Sequence, residues 1–308
     1  MRAETLFRWE VTVVTEANDR SLYRSAAGYL KVLAHYDRTL AGIGVPFREE
    51  VVETSYGDTH VVVSGKGDGK PLLLWHGLNA NAVSWAEWIP ALAPRYCIYA
   101  VDAIGRMGKS APGRPVKKGP GYGEWAAQAV HELGLKRANM VGVSNGGWMI
   151  GKLASVAPEL IGSAVLISSA GFMPLDYWGV LKMLPRMLFR SRDEMARGLL
   201  AMVSAPDLPA DPFWLAYFQL IIESGFRSEQ MAPRLDDQAF QRLTAPTYLL
   251  MAQHEASFNP YKAVKRALGL LPNVIAAEIV PGVGHSMVHP EPDWVIKRVV
   301  DFLDRTAV

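Results

Sequence analysis

Six consecutive residues, Gly142-Val143-Ser144-Asn145-Gly146-Gly147, constrain this chain more than any other stretch. Ahead of them, Asn139 to Val143 reads as the end of a buried strand. Behind them, Trp148, Met149, Ile150, Leu153 and Ala154 carry the apolar spacing of a helix. A serine therefore stands at a strand-to-helix corner, where its side chain is pushed clear of the backbone and held in strain above the sheet. Gly142 and Gly146 flank it at positions where a Cβ would collide across the turn. Gly147, Gly151 and Ala154 extend a stripe of small residues that would let the helix lie close to the strands. The backbone N–H of Asn145 opens the helix, so helix dipole and unpaired donor together would face a negative charge forming beside Ser144. Gly-x-Ser-x-Gly also arises in ordinary glycine-bearing loops; the strand-turn-helix setting is what gives it chemical meaning here.

The rest of the chain repeats the alternation. Phe47 to Glu53 and Thr59 to Ser64 are β-prone runs around Tyr56-Gly57-Asp58 and read as a hairpin, with His60 expected at the surface. Pro71 to Trp75 is an apolar strand ending in His76-Gly77-Leu78, and Cys97 to Val101 is another, ending at Asp102. Trp85 to Leu92 and Gly123 to Leu133 read as helices between strands, and Ser163 to Ser168 as the strand after the Ser144 helix. Strand-helix alternation implies right-handed crossovers and a mostly parallel sheet, whose site opens at the carboxyl ends of the strands. His76, Asp102 and Ser144 all fall at such ends.

The alternation stops from Phe172 to about Gln241. Met, Leu and aromatic residues (Tyr177, Trp178, Met183, Met187, Phe189, Met195, Met202, Phe213, Trp214, Phe218, Phe226) lie in helical patches punctuated by Pro174, Pro185, Pro206, Pro209 and Pro212. This predicts helices inserted between two strands, most of their apolar residues packing among themselves and some roofing the strand ends. Pro246 to Met251 resumes the sheet and leads into His254 and Glu255. A helix from Tyr261 to Leu268, a strand from Val274 to Val280, the turn Gly284-His285 and an amphipathic helix from Asp293 to Leu303 follow. At the other end, Ser21 to Leu40 has apolar residues at Leu22, Ala26, Tyr29, Leu30, Leu33, Ala34 and Leu40. That spacing suits an amphipathic helix which either clamps the core or contacts a partner. The predicted organisation is an N-terminal helical extension (1–44), an α/β core (45–171 and 242–308) and a helical cap (172–241).

Composition narrows the function classes. A chain of 308 residues, half of them hydrophobic, can bury a large core, and its net charge of +2 favours neither nucleic acid nor an acidic partner. The single cysteine, Cys97, excludes an internal disulfide and a metal cluster and reads as a buried structural thiol. Met1 to Asp19 scatters charges through its apolar residues, unlike a signal peptide, and no run approaches the ~18 uncharged apolar residues of a membrane span. These features lead to the expectation of a cytoplasmic protein without cofactor, oligomeric state open.

Taken in order, His76-Gly77, Gly142-Val143-Ser144-Asn145-Gly146, the inserted helices, an acid after the next strand and Gly284-His285 resemble the α/β-hydrolase fold superfamily. The likeness runs from about Val45 to the C-terminus. It implies a serine carboxylesterase-like protein acting on a small, largely apolar ester. Ser144 would be the nucleophile and His285 the base, the one side chain with an unperturbed pKa near neutrality. Glu255 would be the acid, where aspartate is commoner, with Asp176 the fallback. The backbone N–H groups of Leu78 and Asn145 would form the oxyanion hole. Asp102 would fasten its own loop through Ser110, and His254 and His289 would sit at the surface or behind the site. Serine rather than aspartate at position 144 argues against haloalkane dehalogenases and epoxide hydrolases of this fold. Lactone, thioester or carbon-carbon hydrolysis, and a ligand-sensing receptor with an intact triad, use the same residues.

Overall fold

A computed structural model describes residues 22–174, 176, 191–206, 209–228, 231–288 and 292–306. Met1 to Ser21, Tyr177, Trp178, Met183, Pro185, Met187, Phe189 and His289 lie outside them. Eight strands form one sheet in the order β1-β2-β4-β3-β5-β6-β7-β8. They are β1 (Phe47–Val52), β2 (Thr59–Gly65), β3 (Lys70–Trp75), β4 (Tyr96–Val101), β5 (Ala138–Val143), β6 (Ile161–Ile167), β7 (Thr247–His254) and β8 (Val274–Gly284). The hairpin β1–β2 joins β4 antiparallel, and β4, β3, β5, β6, β7 and β8 run parallel. The chain moves outward from β3 to β4 and then back past β3 to β5. The topological switch therefore falls between β3 and β5, where a crevice opens at the carboxyl ends of an α/β sheet. His76-Gly77-Leu78 leaves β3 and Ser144 leaves β5 at that point.

Side-chain alternation along the buried strands splits the core into two layers. Leu73, Trp75 and Met140 face one layer with α3 (Gly121–Glu132), α4 (Asn145–Val156) and α8 (Pro260–Leu270), through Tyr122, Trp125, Trp148, Leu153 and Ala263. Leu72, Leu74, Val141 and Val143 face the other, with α1 (Ala26–Ala41), α2 (Ile89–Leu92) and α9 (Pro292–Thr306), through Tyr36, Leu40, Leu92, Val295, Val299 and Leu303. The expected helix from Trp85 to Leu92 is instead a 3-10 turn (Ala82–Trp85) followed by α2, which starts at Ile89. Pro90 explains the break, because it has no N–H to continue a helix begun earlier.

The N-terminal helix starts later and faces differently from its apolar pattern. Ser25 accepts from the Gly28 N–H as N-cap, and Gly28, Val32, Tyr36 and Leu40 form the buried face, leaving Leu30 61% exposed. That face is spent inside the chain. Tyr36 joins the sheet core, Val32 joins Tyr217 and Phe226, and an isolated bridge pairs Tyr23 with Phe226. Between β6 and β7 the described residues form three helices, α5 (Arg192–Val203), α6 (Pro212–Ser224) and α7 (Asp237–Gln241), with no named strand. A Ser191/Glu194 capping box starts α5, and Asp211 caps α6 ahead of Pro212. Gly151 of α4 is approached by Leu235 of this segment rather than by a strand, so part of the small-residue stripe serves the inserted helices. Among the described residues no helix is long and apolar enough to cross a membrane.

Candidate active site

Ser144 sits between β5 and α4 with φ 53° and ψ −112°, a left-handed conformation that side chains rarely adopt. Neither flanking glycine has room for a side chain, Gly142 because of the turn itself and Gly146 because of the end of β3 rather than the turn. A Cβ on Gly142 would lie 2.5 Å from the Gly146 carbonyl carbon, and one on Gly146 would lie 1.9 Å from the Trp75 oxygen. The Ser144 N–H donates to Ile167 (2.8 Å), and its carbonyl accepts from Gly147 (3.1 Å) and Ala170 (3.0 Å), so backbone bonds on both sides hold the strain.

The loop after β3 is fastened at both ends by adjacent residues at the end of β4. The Ala103 N–H donates to His76 Nε2 (3.0 Å), which leaves Nδ1 to donate to the Gly77 carbonyl (2.8 Å). Burial pushes the His76 pKa down to about 4, so the ring is neutral and serves as a structural bridge. Six residues on, the Ala82 N–H donates to Asp102 Oδ1 (2.6 Å). Asp102 also accepts the Lys109 N–H, and its carbonyl accepts the Ser110 hydroxyl, which is the loop-fastening role expected of it.

Glu255 follows the last residue of β7 and His285 the last residue of β8. The two meet through a 2.5 Å contact between His285 Nδ1 and Glu255 Oε2, while Oε1 accepts the Ser257 N–H (2.8 Å). The Glu255 side chain is fully buried and that of His285 is 16% exposed. Burial opposes the imidazolium, but the Glu255 carboxylate outweighs it and holds the His285 pKa above its ordinary value. Burial likewise works against the Glu255 carboxylate; the His285 ring and the Ser257 N–H overcome it and hold the pKa low.

A cavity of about 230 Å³ opens where these loops converge, and Ser144, His285, Leu78 and Ser257 all line it. Its roof comes from the inserted helices, through Leu199, Met202, Trp214 and Phe218. Among the described residues no Asp, Glu, Lys or Arg lines it. Among the described residues no group of His, Cys, Asp and Glu could hold a metal ion.

Other expected residues are placed differently. His60 is not at the surface: it is 4% exposed, its Nδ1 lies 3.1 Å from Asp102 Oδ2 and 3.3 Å from the Tyr36 hydroxyl, and its Nε2 lies 2.9 Å from Glu49 Oε2. The hairpin turn before it is exposed, but residue 60 itself points under α1, which sequence periodicity in a short strand does not reveal. Asp176 is exposed, and its N–H donates to the Ser257 carbonyl (2.8 Å), nearer to the acid loop than expected for a residue of the inserted segment. The carboxylate that meets His285 is nevertheless Glu255. His254 is exposed, and Cys97 is buried beside Tyr99. Sequence reasoning missed the Ser257 donor and the lining contributions of Trp85 and Val288, which no local pattern distinguishes from core residues.

A model of the alpha/beta hydrolase fold matches residues 70–292. Carboxylesterase YbfK of Bacillus subtilis (strain 168) is 28% identical over 294 residues, covering 92% of this chain and 97% of that protein. The uncharacterized carboxylesterase nap of the same organism is 26% identical over 277 residues, covering 87% and 91%. Among solved structures, carboxylesterase CesB (YbfK) from Bacillus subtilis superposes with a TM-score of 0.78 at 26% identity, covering 90% of this chain and 99% of that one. Naproxen esterase (carboxylesterase NP) from Bacillus subtilis gives 0.78 at 25% identity, covering 91% and 99%.

Proposed function

Since the chain belongs to the α/β-hydrolase fold family, we propose that it is a carboxylic ester hydrolase working through an acyl-enzyme on Ser144. The relatives named as carboxylesterases span nearly the whole chain, which supports that reaction class. The observation that carries the residue assignment is the His285–Glu255 pair at the rim of a cavity that Ser144 also lines.

In this reading the Ser144 hydroxyl attacks the ester carbonyl while Nε2 of His285 takes its proton, Nδ1 being engaged by Glu255. Glu255 stays ionised, fixes the tautomer and stabilises the imidazolium. The tetrahedral oxyanion is held by the backbone N–H groups of Asn145, the first residue of α4, and Leu78. The alcohol leaves with the proton from His285. Water, deprotonated by the same ring, then attacks the acyl-enzyme, and the carboxylic acid departs as Ser144 regains its proton. Residues 172–241 act as a cap over an N-terminally extended core, and the apolar lining that the described residues give the cavity, through Leu199, Met202, Trp214 and Phe218, favours small, uncharged esters.

The test is hydrolysis of a short-chain aryl ester by Ser144→Ala. Removal of a nucleophile in such a constellation lowers kcat by about 10⁴-fold or more. Turnover equal to that of the unaltered protein refutes the reading.

A further inference from the structure

The segment between β6 and β7 does more than line the cavity: it touches three of the loops on which the proposed reaction depends, those after β3, β7 and β8. The Ser228 hydroxyl donates to Asn79 Oδ1 (2.7 Å) in the loop after β3. The Asp176 N–H donates to the carbonyl of Ser257, whose own N–H holds Glu255. The most extensive tie is at the base. The Val203 carbonyl, at the last residue of α5, accepts both the Ser286 N–H (2.9 Å) and the Ser286 hydroxyl (3.0 Å). One carbonyl oxygen has two lone pairs and can take both donors. On the other side of His285, Gly284 meets the same helix end. A Cβ there would lie 2.4 Å from the Ser204 carbonyl carbon, 2.5 Å from the Val203 oxygen and 2.6 Å from the Ala205 nitrogen. These obstacles are backbone and cannot swing aside as a side chain would.

We infer that Ser286, with Gly284, is a positioning residue for His285: the base loop takes its place by docking on the carboxyl end of α5. The last carbonyls of a helix have no partner within it, and here Val203 is satisfied by the loop carrying the base rather than by a local turn. Ser286 is 6% exposed, so water does not compete for the two bonds. A displacement of α5 therefore moves His285 along with the roof, and misplacing a catalytic group by about 1 Å costs on the order of 10²-fold in rate. Access to the cavity and competence of the base are in this way coupled through one carbonyl oxygen.

The inference rests on the hydrolase reading, and its test separates the two. Hydrolysis of p-nitrophenyl acetate and p-nitrophenyl butyrate is followed across pH for the unaltered protein, Ser286→Ala, Ser286→Thr, Gly284→Ala and Ser144→Ala, with thermal unfolding of each. Ser286→Ala is expected to lose about fivefold in kcat, the size of one hydrogen bond, equally for both esters and with KM within about twofold. Its kcat/KM acid limb moves to lower pH, because His285 is held less firmly against the carboxylate that raises its pKa. Ser286→Thr, which keeps the hydroxyl, stays within about twofold of the unaltered protein, and Gly284→Ala loses about a hundredfold if it folds. An unchanged kcat and acid limb in Ser286→Ala, even with a lower unfolding temperature, overturns the inference. So does a change confined to KM, or an equal loss in Ser286→Thr. Full activity in Ser144→Ala sinks the hydrolase reading itself, whereas an inactive Ser144→Ala beside a fully active Ser286→Ala sinks the positioning role alone.

Discussion

Two histidine–carboxylate pairs stand at the carboxyl ends of the same sheet, and they differ in what surrounds the second ring nitrogen. His60 engages Asp102 through Nδ1 and Glu49 through Nε2, and Glu49 in turn bonds Lys109, which also pairs with Asp37 of α1. Both nitrogens are spent, and the ring is 4% exposed. His285 engages Glu255 through Nδ1 and lines a cavity with Ser144. A buried pair with both nitrogens held is a fastener; a pair with one nitrogen held and the other at a cavity can pass a proton. A carboxylate beside a histidine is thus a poor signature of catalysis by itself, and access to the remaining nitrogen is what separates the two sites.

The largest effect that would break this contrast belongs to Glu255. Glu255→Gln is expected to lower kcat by about 10³-fold or more, since an amide can favour the wrong imidazole tautomer and cannot stabilise the imidazolium. Its residual kcat/KM should lose its acid limb at lower pH than the unaltered protein, whose His285 pKa the carboxylate raises. A pH–rate profile that Glu255→Gln leaves unmoved would put the two pairs on the same footing.

The His60 pair should answer in stability. Burial works against its charged form, but Asp102 and Glu49 prevail and raise the pKa to about 9. Because the folded value exceeds the unfolded one of about 6.5, the stabilisation is full below that lower pH and is lost as pH rises through about 9. On the order of 3 kcal/mol at most is at stake. Thermal unfolding between pH 6 and pH 10 should show the alkaline loss in the unaltered protein and a flatter profile in His60→Gln, whose kcat stays within a few fold. A His60→Gln variant as inactive as Glu255→Gln would reverse the assignment. The smallest effect concerns the roof: Trp214→Ala should raise KM for a longer acyl ester by about tenfold more than for an acetate, and equal changes would remove Trp214 from acyl recognition.

Much of the site could be read from residue order because its parts are local. A serine between Gly142 and Gly146 after a buried strand marks its own corner, since Gly142 meets Gly146 within the turn, and the structure has the strained φ there; the need for glycine at 146 comes instead from the end of β3, at Trp75. Glu255 and His285 were legible by their place after the last two strands, each one residue beyond a strand end. His60 was not, because both faces of β2 are covered and it is the docking of α1, through Tyr36, that closes over the ring. Nor was the buried face of α1: its apolar residues outnumber the positions that touch a neighbour, so Leu30 is left outside.

Local sterics and hydrophobic period, which act between near neighbours, were enough to dictate the strands, the serine corner and the sequence of loops at the sheet end. Which acid meets His285, which residues roof the cavity and which carbonyl seats the base loop depend on contacts between segments as far apart as Val203 and Ser286. Such contacts exist only once the chain has closed on itself, because each is set by how whole elements pack and no stretch of sequence encodes them alone.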